Sequence, residues 1–116
     1  MASGTISTPT LPKRTGTITP ATGYTISEDR CVQTGDVVEV HFYISGNFTA
    51  NTEVTAVTIS GVSMPPKAIR TICGYGAHAY DAWNTGYVGL FSSGSMNITI
   101  TATGTRVVLV DFVYTV

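Results

Sequence analysis

Between Gly74 and Tyr87 the chain reads Gly-Tyr-Gly-Ala-His-Ala-Tyr-Asp-Ala-Trp-Asn-Thr-Gly-Tyr. This stretch holds the only Trp, three of the six Tyr and one of the two His. Flat rings beside carboxylate and amide groups are the chemistry of sugar recognition. The apolar face of a pyranose stacks on a ring while Asp and Asn bind its hydroxyls. The candidate ligand-binding set is therefore Tyr75, His78, Tyr80, Asp81, Trp83 and Asn84. A plainer reading takes precedence. Ala79, Asp81 and Trp83 alternate with His78, Tyr80 and Ala82, as on a strand interrupted by glycines. Its rings would then serve the core or a subunit contact, where Trp and Tyr are enriched.

Other chemistry finds little purchase. His41 and His78 lack a third ligand at metal spacing, so neither a metal nor a cofactor is expected. Cys31 and Cys73 are too few for a disulfide framework and read as buried free thiols rather than a bridge. There is no Gly-x-Ser-x-Gly for a serine nucleophile. A glycosidase would need two placed carboxylates, and the acids fall mostly at turns and strand ends. The expectation is a protein that is not an enzyme.

Composition narrows the partners. The chain has 116 residues, which favours one domain. Charged residues are only 11% of it, while apolar residues make up an ordinary 43%. Ser, Thr, Asn and Gly replace the missing charge, which is not the signature of disorder. The six basic residues are scattered and the formal net charge is −1, so no phosphate-neutralising stripe exists and no nucleic acid is expected. No apolar run reaches the length of a transmembrane helix, and the N-terminus lacks the pattern of a classical signal peptide. The sequons at Asn47 and Asn97 matter only in a eukaryotic secretory pathway.

The elements that would position these residues are strands. Residues 1–14 are Ser/Thr/Pro-rich and read as an extended lead-in, with a single β-sandwich domain over residues 15–116. Short strands are expected at Thr15–Thr19, Gly23–Ile26 and Arg30–Gln33. Val37–Ser45 alternates cleanly, with Val38, Val40, Phe42 and Ile44 inward. Glu53–Ser60 has a phase problem, since Val54 and Ala56 share one face and Val57 and Ile59 the other. It is either buried on both sides or bulged. Pro65-Pro66 excludes a central strand there. Strands resume at Ala68–Tyr75, Tyr87–Phe91 and Met96–Ala102. No helical apolar spacing occurs. Eight or nine short strands with regular turn signals argue for an antiparallel sandwich, jelly roll or barrel.

The final run, Arg106–Val116, is apolar on both faces. Val108, Val110, Phe112, Tyr114 and Val116 share one; Val107, Leu109, Asp111, Val113 and Thr115 share the other. One face can enter the core. The other needs a cover, and in a short chain that cover can be another copy. Val107, Leu109, Asp111 and Val113 are the candidate interface. Asp111 interrupts the apolar face and calls for a partner, with Arg106 or Arg70 the long-armed candidates.

The order of features resembles a known group. Thr25–Gln33 leads through Thr34-Gly35-Asp36 to a valine-rich strand, then to Phe-Thr-Ala-Asn-Thr and a Pro-containing loop at Met64–Lys67. A hairpin around Ser92-Ser93-Gly94-Ser95 then precedes the last strand. This is similar to the C-terminal head (receptor-binding) domains of phage and prophage tail fibre proteins of Gram-positive bacteria. The resemblance implies a TNF-like jelly-roll head, a homotrimer, that adheres to a cell-surface glycan or protein without enzymatic activity. It also implies a virion or prophage-encoded location, the chain being made in the bacterial cytoplasm. Two alternatives stand beside it: a purely structural virion component such as a decoration or fibre cap, and a TNF- or C1q-like trimeric ligand.

Overall fold

The computed structural model describes residues 12–78 and 84–116. The strands are β1 (Lys13–Thr15), β2 (Thr17–Pro20), β3 (Thr25–Thr34), β4 (Val37–Phe48), β5 (Val54–Ser60), β6 (Ile69–Gly76), β7 (Asn84–Leu90), β8 (Ser95–Thr99) and β9 (Gly104–Thr115). They form one antiparallel sheet in the order β1-β3-β4-β9-β6-β7-β8-β5-β2. Within it β6, β7 and β8 run as a meander and β5 returns beside β8, a Greek-key connection. Among the described residues there is no helix, and so none able to cross a membrane. The fold is the expected all-β antiparallel sandwich, with its sheet rolled nearly closed.

Closure is made by a single residue. β1 pairs with β3 at one edge of the sheet and β2 pairs with β5 at the other. Gly16 is the only residue between them, and its N–H donates to the Cys31 carbonyl at 2.8 Å. A Cβ built there would lie 2.6 Å from Cys31 Sγ and 3.0 Å from both Ser60 O and Val62 Cγ1. Only glycine lets the chain cross so close to both edges. The sheet begins at Lys13, so the last two residues assigned from sequence to the lead-in belong to it.

The core follows from strand alternation. On β4, Val38, Val40, Phe42 and Ile44 point inward and are fully buried. On β9, Val108 and Val110 meet them from the longest ladder in the fold, which runs from Val37↔Thr115 to Phe48↔Gly104. Met96, Ile98 and Ile100 fill the opposite wall. The phase problem in β5 is a bulge: its register against β8 shifts between Thr55 and Val57, so Ala56 and Val57 are buried in succession. The two strands expected at Gly23–Ile26 and Arg30–Gln33 are one, β3, irregular between Ser27 and Arg30 where Glu28 takes φ 50°.

The proline loop caps this core. Val62 and Pro65 are buried, and the loop is tied down by the buried Gln33. The Gln33 amide donates to Gly35 O at 2.9 Å and to Ser63 Oγ at 3.0 Å, and accepts from Ser63 N at 2.8 Å. Tyr114 adds a hydroxyl bond to Ser63 O at 2.7 Å. Both cysteines are buried free thiols. Burial pushes Cys73 up to about 11 against an opposing hydrogen bond from the Gly86 backbone. Burial also raises Cys31, and pushes Tyr114 up to about 12 with help from nearby Cys31.

Candidate functional site

Of the aromatic stretch's six candidate residues, the structure describes Tyr75, His78 and Asn84. Tyr75 lies on β6 with its ring in the core, only 5% exposed, and its hydroxyl is hydrogen-bonded to Thr101 Oγ1. It is a core residue and offers no ring to a ligand, which corrects that part of the candidate set. The cause is strand parity: Cys73 and Tyr75 share the inward face of β6. His78 is exposed just beyond the strand. Asn84 opens β7, exposed, with its amide donating to Tyr75 O at 3.5 Å. Tyr80, Asp81 and Trp83 lie outside the described residues.

The outer face of β4 and β9 carries the four candidate interface residues. Val107 and Leu109 are half-buried, Asp111 is exposed, and Val113 is 58% exposed. Register places Leu109 opposite Tyr43 and Val113 opposite Glu39. Asp111 does not pair with Arg106 or Arg70. It stands opposite His41 on β4, Oδ2 to Nδ1 at 3.6 Å. Arg106 is turned back on its own strand, donating to Thr105 O at 2.8 Å. Cross-strand geometry explains the difference, since directly opposed residues are nearest neighbours whatever their length. His41 also meets Tyr43 edge-on at 5.9 Å, and Arg30 pairs with Glu39 at 3.5 Å. The Arg30–Glu39 ion pair is solvent-exposed and contributes roughly 0–1 kcal/mol.

A second outer region lies across β6, β7, β8 and β5, on the far side of β9 from β4. Pairing sets Thr55, Asn97, Gly89 and Arg70 side by side across β5, β8, β7 and β6. In the adjacent row Thr99, Tyr87 and Ile72 stand abreast, with Glu53 just ahead of β5. The result is a shallow cleft lined by Glu53, Arg70, Tyr87, Gly89, Asn97 and Thr99. Tyr87 is 61% exposed and Ile72 64%. The Asn97 amide is held on both sides. Its Nδ2 donates to Glu53 Oε1 at 2.9 Å, and its Oδ1 accepts from Thr55 Oγ1 at 2.8 Å. One amide N–H and one lone pair remain for a ligand.

The cleft has no contiguous signature along the chain. Tyr87 closes the aromatic stretch and opens an expected strand, but Glu53, Arg70 and Asn97 are far apart along the chain. Only the register across a bulged β5 and a Greek key brings them together. The one local signal was the isolated Gly89 in Tyr-Val-Gly-Leu, a strand pattern interrupted by glycine. No protein-family model matches this sequence, and no curated protein is significantly similar to it.

Proposed function

We propose that this chain is a non-enzymatic adhesion or receptor-binding module, of the kind that heads phage and prophage tail fibres of Gram-positive bacteria. In this reading it works as a homotrimer on a cell-surface glycan or protein. The observation that supports it best is the outer sheet surface. In a chain with only 11% charged residues, that surface presents Ile72, Tyr87 and Val113 to solvent, with Leu109 and Val107 half-covered beside them. Exposed apolar and aromatic side chains gathered on one surface mark interaction sites.

Two measurements test the reading. Light scattering should return three times the 12.2 kDa chain mass. Val113→Glu, an outward and exposed position, should release folded monomers. The wild-type protein should be retained on isolated Gram-positive cell envelopes. A monomer at working concentration removes the homotrimer, and failure of envelope retention removes adhesion.

A further inference from the structure

Gly89 sits in mid-strand on β7, paired with Asn97 on β8 and Arg70 on β6. A glycine there weakens a strand, so its presence needs a cause. Backbone conformation is not the cause, because its φ is not positive. Crowding is not the cause either. A Cβ at this position would meet Phe91 at 3.7 Å and Ile69 O at 3.8 Å, both ordinary contacts. By contrast, Gly16 and Gly86 would be driven to within 3.0 Å of their neighbours. Gly89 is itself buried, with the Phe91 ring against its outer side, and the missing side chain leaves a shallow cleft beside it between Tyr87, Arg70 and Asn97. Glycine also occurs in strands where a ligand approaches the backbone closely.

The walls of that cleft have a definite chemistry. Tyr87 supplies an exposed ring, and Thr99 lines the cleft beside it. Arg70 and the immobilised Asn97 amide flank the floor, with the Glu53 carboxylate behind the amide. The ring gives an apolar stacking face. The guanidinium, amide and carboxylate give donors and acceptors at fixed positions. Arg70 and Glu53 cancel in charge, so the cleft suits a neutral ligand that is apolar on one face and rich in hydroxyls at its rim.

We infer that the Tyr87–Gly89–Asn97 cleft is a binding site for a neutral hexopyranose, with Tyr87 as the stacking platform. This inference rests on the adhesion reading above and names the site through which it would act. Tyr87 and Gly89 on β7 lie two strands from β9 in the sheet order, with β6 between them.

The test is a two-dimensional NMR titration of the full chain with neutral methyl hexopyranosides of gluco, galacto, manno and N-acetylglucosamine type. At least one should give saturable shifts centred on the Arg70, Tyr87, Gly89 and Asn97 amides. Tyr87→Ala should weaken binding by about ten-fold or more. Gly89→Thr should fold with an unchanged or higher melting temperature, because a β-branched residue suits the strand, and should abolish the shifts. The site is overturned if no sugar shifts these amides, or if folded Gly89→Thr binds like wild type. Envelope retention separates the two claims. Adhesion without sugar shifts removes the site and leaves the module. Sugar shifts without retention leave the site and remove the module.

Discussion

Gly16→Ala tests whether the sheet is closed where the structure closes it. The new Cβ would stand 2.6 Å from Cys31 Sγ and 3.0 Å from Ser60 O and Val62 Cγ1. Comfortable contacts begin near 3.5 Å, so the sulfur is approached about 1 Å too closely. Cys31 is buried and cannot swing away freely. The movement must come from the junction itself, including the 2.8 Å bond from Gly16 N to Cys31 O. Over-packing of this kind costs about 1–3 kcal/mol. Alanine also restrains the unfolded chain, which returns about 0.4–1 kcal/mol where the native φ is permissible, as it is here. The expected net loss is about 1–2 kcal/mol. In a domain of this size that is a fall in melting temperature of roughly 4–8 °C.

Circular dichroism melts and urea midpoints read this directly, and a double-mutant cycle gives it specificity. Cys31→Ala alone leaves a small cavity and destabilises. Added to Gly16→Ala it removes the worst contact, so the pair should be less destabilised than the sum by about 0.5–1 kcal/mol. Rescue stays partial because the Ser60 carbonyl remains in the way. Wild-type stability in Gly16→Ala, or strict additivity of the pair, would refute the argument and place the closure elsewhere.

Two further predictions concern the core and its cap. Gln33→Leu strips three hydrogen bonds from the turn and the proline loop and leaves Ser63 N–H without its acceptor. It should cost about 1–3 kcal/mol in urea unfolding and speed hydrogen exchange across residues 61–67. Burial holds Cys73 near 11 in the folded state against 9.0 for the free thiol. The unfolded chain therefore loses its proton first. Stability is fully present below about pH 9 and falls as pH rises towards 11, by a ceiling of about 2–3 kcal/mol. Urea midpoints across that window should fall less steeply in Cys73→Ala than in wild type; equal slopes would exclude the thiol as the cause.

The strands and much of the core were legible because alternation is local. Val38, Val40, Phe42 and Ile44, then Met96, Ile98 and Ile100, face inward as their spacing dictates. The bulge in β5 was legible as a break in phase. Pairing partners were not. The sequence carries Asp111 and His41 as residues 70 positions apart, and only the β4–β9 register sets them face to face. Tyr75 shows the converse error, because composition alone does not tell which parity of β6 meets the core. The cleft around Gly89 depends on four strands at once, so it becomes visible only after the sheet is assembled.

The fold also changes what the two-sided apolar character of β9 means. A central strand is shielded on its outer face by its neighbours' side chains, and Leu109 and Val107 are half-covered in that way without any second copy. The shielding is uneven. β6 pairs with β9 only from Gly74↔Leu109 to Gly76↔Val107. Beyond Leu109 the two strands part, and among the described residues no strand pairs with that side of β9 from Val110 to Thr115. The most exposed apolar side chain of β9, Val113, lies on this stretch, and Ile72 stands on the diverging part of β6. Unpaired backbone beside exposed apolar residues is the feature that invites another strand. An interface that uses β9 is therefore expected to centre on the parting of β6 and β9, with Val113 near its middle and Val107 at its rim. That is why Val113→Glu, rather than a change at Val107, is the deciding arm of the assembly test.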